Sequence, residues 1–215
     1  MKVLVIDVGG TNVKILATGQ SEFRKIPSHT GLTPEQMVPA VLAAAMDWEY
    51  DVVSIGYPGV VEKGRPVVDP VNLGPGWVSF DFEAAFQRPV RMINDAAMQA
   101  MASYEGGKML FLGLGTGLGT AMVINGIVAP MELGHLPYRN QTFEDYIGRR
   151  GLDRLGKEKW RSCVADVVKR LADALQPDYV VLGGGNVKKL AELPPGTRAG
   201  ANANAFLGGF RLWEE

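Results

Sequence analysis

Short runs of apolar residues, separated by turns rich in glycine, recur along the whole chain. Residues 3–6 form a continuous run of valine, leucine and isoleucine, which is typical of a strand buried on both faces. The same pattern predicts further strands at residues 13–17, 52–57, 90–93, 109–112, 120–124, 127–129 and 179–182. Helices are predicted at about residues 33–48, 81–87, 96–104 and 157–175, and after the glycines at 183–185. Together these elements predict an α/β protein.

A strand, a glycine turn and a second strand begin both halves of the chain, at residues 3–17 and 109–124. This arrangement predicts two related α/β lobes, spanning residues 1–105 and 106–215. A return of the final helix to pack on the first lobe is left open.

Charge and composition exclude several classes of protein. The 215 residues carry 22 Lys and Arg against 23 Asp and Glu, a formal net charge of −1, which argues against nucleic acid as a partner. No apolar stretch approaches the about 18 residues of a membrane span. The single cysteine, Cys163, excludes an internal disulfide and a cysteine-cluster zinc site, so a reducing, cytoplasmic location is expected. The 27 glycines, well above the roughly 7% of average proteins, need an explanation.

The first glycine turn follows strand 3–6 and contains Asp7, Gly9, Gly10, Thr11 and Asn12. Backbone N–H groups left uncovered by glycine attract phosphate oxygens. Asp7 is placed to hold Mg²⁺ through its waters, as Mg²⁺ is usually held beside phosphates. A glycine hairpin capped by the Asp is an equally good interpretation of this turn alone.

Two later turns strengthen the phosphate interpretation. Glycines alternate at residues 113–119, around Gly115, Thr116 and Gly117, and each glycine inside a strand costs about 0.5–1 kcal/mol unless something must approach the backbone. Gly183 and Gly184 follow another strand, where parallel sheets present ligand sites. The three turns predict a bound nucleotide or polyphosphate.

Two familiar phosphate motifs do not apply. No glycine cluster contains the dinucleotide fingerprint Gly-x-Gly-x-x-Gly. Gly151 to Lys157 matches the start of a P-loop, but Glu158 stands where Ser or Thr would bind Mg²⁺, and no strand is predicted before it.

Several polar residues are candidates for chemistry. Asn94 and Asp95 lie where a strand meets a helix; they either cap the helix or supply a general base, Asp95, with Asn94 binding a neighbouring hydroxyl. Glu132, His135 and Glu144 are either surface groups, with Glu144 favoured at a helix start, or ligands of sugar hydroxyls.

A basic run spans residues 149–161, with a local net charge of +4 from six basic and two acidic residues. It is either the solvated face of a helix or a track for a polyanionic phosphate donor.

The motifs taken together resemble the ROK family of sugar kinases, of the two-lobed actin-like (ribonuclease H-like) ATPase fold with an interlobe cleft. The similar segments are the turn from Asp7 to Lys14, Gly56 to Gly59, Asn72 and Leu73, Asn94 to Ala96, Gly113 to Gly119, Glu132 to His135, Glu144, Gly183 to Gly185, and Asn202 to Gly208. The short length and residues 72–77 resemble the polyphosphate glucokinases of that family. The family's zinc segment, Cys-x-Cys-Gly-x-x-Gly-Cys, is missing between His135 and Glu144, so no zinc is expected.

The resemblance implies a sugar kinase that transfers a phosphoryl group from ATP or polyphosphate to a hexose hydroxyl, chiefly the 6-OH of glucose. Asp95 is then the base, and Asp7 the Mg²⁺ residue. The expected sugar ligands are Gly59, Asn72, Asn94, Asp95, Glu132, His135 and Glu144. The expected donor-binding residues are Gly9, Gly10, Thr11, Asn12, Lys14, Gly115, Thr116, Gly117, Gly183 and Gly184. The alternative is a sugar- or nucleotide-binding sensor without turnover; a homodimer is left open.

Overall fold

The computed structural model describes residues 1–200 and 205–214. Its strands are β1 (Val3–Val8), β2 (Asn12–Ala17), β3 (Arg24–Pro27), β4 (Val52–Tyr57), β5 (Val61–Glu62), β6 (Arg65–Pro66), β7 (Val90–Asn94), β8 (Lys108–Leu114), β9 (Leu118–Ile124), β10 (Ile127–Met131), β11 (Pro137–Tyr138), β12 (Gln141–Thr142), β13 (Tyr179–Gly183) and β14 (Thr197–Ala199). Its α-helices are α1 (Pro34–Ala44), α2 (Phe82–Phe86), α3 (Asp95–Ser103), α4 (Phe143–Ile147), α5 (Arg149–Leu175) and α6 (Ala205–Arg211).

The chain divides into two compact units. One comprises Met1–Met98 with Ala205–Glu215, and the other comprises Gln99–Asn204. The boundary falls inside α3, seven residues before the expected position, because the first turn of that helix packs with the first unit: Met98 belongs to its core cluster with Val3 and Val5.

The first unit is built on a five-stranded sheet in the order β3-β2-β1-β4-β7. Strands β1 and β2 form an antiparallel hairpin, whereas β1, β4 and β7 are parallel to one another. The apolar runs at β1 and β4 are buried along almost their whole length. The carboxyl ends of these strands carry Asp7, Tyr57 and Asn94, so the parallel part of the sheet brings the candidate residues to one edge.

The second unit repeats this plan in the order β10-β9-β8-β13-β14. A hairpin of β8 and β9 is followed by parallel pairing of β8 with β13 and of β13 with β14. The core between this sheet and α5 contains Leu110, Leu112, Trp160, Val164 and Val167.

One local prediction is wrong, one helix starts earlier than predicted, and one strand was not predicted. The helix expected after Gly183–Gly185 is a single 3-10 turn at Val187–Lys189, because the backbone becomes extended at Leu190, with φ of −70° and ψ of 138°. The long helix begins at Arg149 and is interrupted at Gly156, where φ is 75° and ψ is 164°. Residues 24–27 form an edge strand, which the charges of Arg24 and Lys25 concealed in the sequence.

Helix α6 packs in the first unit, against β1 and β4. Gly209 lies so close to Val5 that any larger side chain would collide with it. The buried hydroxyl of Ser54 donates to the carbonyl of Gly209 at 2.6 Å and accepts a hydrogen bond from the indole of Trp213 at 2.9 Å. The polar residues Asn202 and Asn204, singled out in the sequence, lie outside the described residues.

Within the part of the chain that the structure describes, no helix is both long enough and apolar enough to cross a bilayer.

Candidate active site

The first glycine turn joins β1 to β2 and places a carboxylate beside it. The side chain of Asp7 is 15% exposed. Its carboxylate pairs with the ammonium group of Lys14, on the neighbouring strand β2, at 3.2 Å. The backbone N–H of Gly9 donates to the carbonyl of Asn12 at 3.2 Å, and a Cβ on Gly9 would lie 2.8 Å from the same oxygen. The turn is therefore so tight that only glycine fits at position 9 without a collision.

Asn72 lies against this turn, because a Cβ on Gly10 would be 3.7 Å from that of Asn72. The loop that carries Asn72 is held by Asp69, whose carboxylate accepts hydrogen bonds from the backbone N–H groups of Gly76 at 3.1 Å and Trp77 at 2.8 Å. One carboxylate thereby orders the backbone of two loop residues, a role for Asp69 that no sequence motif indicated.

Beneath the same loop, the hydroxyl of Tyr57 donates to the carbonyl of Val68 at 2.8 Å. Burial, with a smaller contribution from the charge of Asp69, raises the pKa of Tyr57 far above its usual range. The hydroxyl therefore remains a donor and anchors the start of the Asn72 loop.

Asn94 caps helix α3 and Asp95 is the first residue of that helix. The side-chain oxygen of Asn94 accepts hydrogen bonds from the N–H groups of Ala96 at 2.9 Å and Ala97 at 3.2 Å, while its amide nitrogen donates to the carbonyl of Gly59 at 3.1 Å. One amide hydrogen of Asn94 is left for a ligand. One carboxylate oxygen of Asp95 accepts from the N–H of Ala96 at 2.7 Å, so the cap interpretation and a chemical role are compatible.

In the second unit, the glycine turn between β8 and β9 contacts the turn after β13. The side-chain amide of Asn186 donates to the carbonyl of Gly115 at 2.8 Å, and its backbone N–H donates to the carbonyl of Leu114 at 2.9 Å. Gly184, with φ of 85°, approaches Leu114 too closely for any side chain. Two of the three predicted phosphate turns are thus one connected structure, joined by Asn186, which sequence reasoning missed.

Glu144 lies beside the same turn, on the second residue of α4. A Cβ on Gly117 would collide with its carboxylate, and Oε1 of Glu144 lies 3.9 Å from Nε2 of His135. His135 in turn lies 3.8 Å from Glu132. The structure therefore brings together the three candidate sugar ligands that the sequence spreads over thirteen positions.

Helix α4 holds Glu144 through a capping box, in which Thr142 and Asp145 exchange hydrogen bonds. The hydrogen bond from the Thr142 hydroxyl is the main reason that the pKa of Asp145 lies below its usual value. Gly134 also allows close packing, since a Cβ added at this position would lie 2.8 Å from the carbonyl oxygen of Leu118.

The basic run at the start of α5 is largely engaged by neighbouring groups. Arg149 pairs with Asp153 at 2.8 Å, and Arg150 lies 3.4 Å from Asp145 and 3.8 Å from Glu144. The apparent P-loop at Gly151–Lys157 is helical rather than a loop after a strand, so it does not bind phosphate as a P-loop does.

The carboxylate of Asp7 could hold Mg²⁺ in the way that Mg²⁺ binds beside phosphates. Within the described residues, no three His, Cys, Asp or Glu side chains converge as a metal cage. A single carboxylate supplemented by water and phosphate oxygens is, however, the usual protein share of a Mg²⁺ site at a phosphate donor.

Two of the solved structures that share this fold are sugar kinases. The inorganic polyphosphate/ATP-glucomannokinase from Arthrobacter sp. strain KM matches with a TM-score of 0.82 at 23% identity, over 97% of this chain and 96% of that one. The ROK family glucokinase from Streptomyces griseus, in complex with glucose and AMPPNP, matches with a TM-score of 0.76 at 16% identity, over 99% of both chains. The fold is therefore that of the actin-like ATPases to which these sugar kinases belong, as the sequence predicted.

Sequence comparison identifies the family. The polyphosphate glucokinase of Mycobacterium tuberculosis (strain CDC 1551 / Oshkosh) is 28% identical over 88% of this chain and 80% of its own length. The ROK family profile matches residues 3–151. The chain belongs to the ROK family, and the predicted resemblance is confirmed.

Proposed function

We propose that the protein is a hexose kinase that transfers a phosphoryl group from ATP or polyphosphate to the 6-OH of glucose. The observation that carries this proposal is the position of Asp95, a carboxylate at the N-terminus of α3 whose backbone is fixed by the Asn94 cap. The similarity of this chain to a polyphosphate glucokinase and to a glucokinase supports glucose as the acceptor.

In this reaction the carboxylate of Asp95 accepts the proton of the sugar hydroxyl. The hydroxyl oxygen forms a bond to the terminal phosphorus of the donor, while the bond from that phosphorus to the bridging oxygen breaks and the shortened donor leaves with the electron pair. Positioning supplies much of the rate in such transfers, and Asn94 positions Asp95 through α3.

The sugar would be recognised by hydrogen bonds to its remaining hydroxyls. Each hydroxyl both donates and accepts, so Glu132 and Glu144 accept hydrogen bonds and His135 can do either. The free amide hydrogen of Asn94 adds a donor, and Asn72 adds an amide beside the first turn.

The donor phosphates would lie along the glycine turns. The backbone N–H groups of Gly9 to Asn12 and of Gly115 to Gly117 are suited to anionic oxygens, and Lys14 adds a positive charge beside Asp7. Gly183 and Gly184 would border the adenosine of ATP. Bound beside Asp7, Mg²⁺ supplies charge neutralisation for the donor phosphates.

A panel of hexoses offered with ATP or long-chain polyphosphate, with products identified by mass spectrometry, tests the proposal. Glucose 6-phosphate should form with at least one donor, and heat-denatured protein is the control for uncatalysed reaction. Glucose binding by calorimetry without any phosphorylated product from either donor would instead establish the sensor alternative.

A further inference from the structure

Three arginine side chains lie over two tyrosine rings on the surface of the second unit. The guanidinium carbon of Arg139 is 5.1 Å from the ring centroid of Tyr138 and 5.3 Å from that of Tyr146. Arg154 lies 4.9 Å from Tyr146, and Arg170 lies 5.7 Å from Tyr138. The order is thus Arg154, Arg139, Arg170, with a shared ring between neighbours; we call these five residues the arginine array.

The guanidinium groups of the array keep donors free. Among the described residues, neither Arg139 nor Arg154 forms an ion pair, although Arg154 donates one hydrogen bond to the carbonyl of Asp145 at 2.9 Å. Only Arg170 pairs with a carboxylate, that of Asp166, at 3.1 Å. An arginine over an aromatic ring retains five N–H donors in a planar fork that suits phosphate.

The rings beneath these cations are fixed before any ligand binds. Tyr138 and Tyr146 meet edge to face, with centroids 5.0 Å apart. Their hydroxyls donate to Asp166 at 2.7 Å and to Asn140 at 2.5 Å. Because both rings are also buried, the two tyrosines lose little side-chain entropy on binding.

The array is continuous with the second glycine turn. The N–H of Arg149 donates to the carbonyl of Thr116 at 3.0 Å, and Tyr146 lies on α4, the helix that carries Glu144 beside Gly117. A chain of phosphates leaving this turn along α4 would therefore reach Arg154 first and Arg139 next.

We infer that the arginine array binds the distal part of a linear polyphosphate chain whose end is held at the glycine turns. This inference rests on the proposed function for the identity of the turn's ligand. Neighbouring guanidinium groups are separated by a tyrosine ring, so each meets a different phosphate group. A long chain has enough phosphate groups to contact all three guanidinium groups, whereas ATP has only three phosphate groups, which the proposed function assigns to the glycine turns.

The decisive variant is Arg139→Gln/Arg154→Gln, which removes the two cations of the array that form no ion pair with a described residue. Its matched control is Lys157→Gln/Lys159→Gln, which removes two exposed charges from the same unit outside the array. Binding of long-chain polyphosphate is measured by calorimetry in the absence of sugar, at several salt concentrations, alongside turnover with ATP and with polyphosphate.

The array variant should bind long-chain polyphosphate about tenfold more weakly, and the slope of log affinity against log salt should fall by about 1–2. The lysine control should bind as the wild type does, and the array variant should keep its KM for ATP. Equal weakening in both variants, or unaltered binding in the array variant, would overturn the inference. So would equal or tighter binding of single-stranded RNA of the same charge.

Polyphosphate binding is measured without sugar, so it does not depend on turnover. If the protein binds polyphosphate through the array but forms no sugar phosphate, the proposed function alone is refuted.

Discussion

The side-chain amide of Asn186 donates a hydrogen bond to the carbonyl of Gly115, 71 residues earlier in the chain. Asn186 is one of few buried polar residues, with 7% of its surface exposed. Its contact fixes the glycine turn after β8 relative to the glycine turn after β13. Two predicted donor-binding segments therefore depend on one amide.

Replacing Asn186 with alanine should leave the carbonyl of Gly115 without its donor. We expect unfolding free energy to fall by about 1–3 kcal/mol, and the KM for the phosphoryl donor to rise more than the KM for glucose. Urea unfolding and initial rates measure these effects. Asn186→Asp keeps the side-chain shape but removes the donating amide, so it should behave similarly; an unaltered donor KM in both variants would contradict the role of Asn186.

A methyl group at Gly117 should displace the Glu144 carboxylate, whose oxygen occupies that space. We expect Gly117→Ala to raise the KM for glucose by about tenfold or more, the effect of weakening a hydrogen bond to a charged group. The matched control is Gly115→Ala, because no atom of the described residues lies within 4 Å of a Cβ at Gly115. That variant should affect the donor rather than glucose. Equal glucose KM values for both variants would exclude Glu144 as a sugar ligand.

The sequence predicted much of the fold because its signals were local. The apolar run of β1 and the alternating glycines after β8 each identify an element without reference to any other part of the chain. Asn94 and Asp95 were found by their position at a strand–helix junction.

Other features depend on contacts that no local pattern records. Asp69 binds backbone groups seven and eight residues away, and Asn186 binds across the sheet. The basic run at residues 149–161 suggested a continuous positive track, but Arg149 and Arg150 face carboxylates, whereas Arg139, outside the run, lies over the two tyrosines. Only the tertiary structure distinguishes engaged cations from free ones.

Tyr138 and Asp166 should make stability depend on pH at high pH. Burial, and then the hydrogen bond to Asp166, raises the pKa of Tyr138 to about 12, above the about 10 of an unfolded chain. Because the pKa is raised in the folded state, the contribution of the protonated Tyr138 hydroxyl to the free energy of unfolding is complete below pH 10 and is lost as the pH rises through about 12. The loss should be on the order of 1–2 kcal/mol.

Urea unfolding of the wild type and of Tyr138→Phe at pH 7, 9, 10.5 and 11.5 measures this contribution. The wild type should be more stable at pH 7, and its advantage should shrink above pH 10. A stability difference that stays constant across this range would show that the Tyr138 hydroxyl is not perturbed. At acid pH, the hydrogen bond from Tyr138 is the main reason that the pKa of Asp166 lies below its usual value. The contribution of the ionised Asp166 to stability is therefore lost as the pH falls below about 4.

The most direct test of the proposed chemistry is the single-turnover rate of glucose 6-phosphate formation in the wild type and in Asp95→Asn. The asparagine keeps the side-chain size at the start of α3 but cannot accept the hydroxyl proton as a base. We expect a normally folded variant that binds glucose and donor as the wild type does, with a rate lower by about 10²–10⁴. A rate within a few fold of the wild type would contradict this expectation.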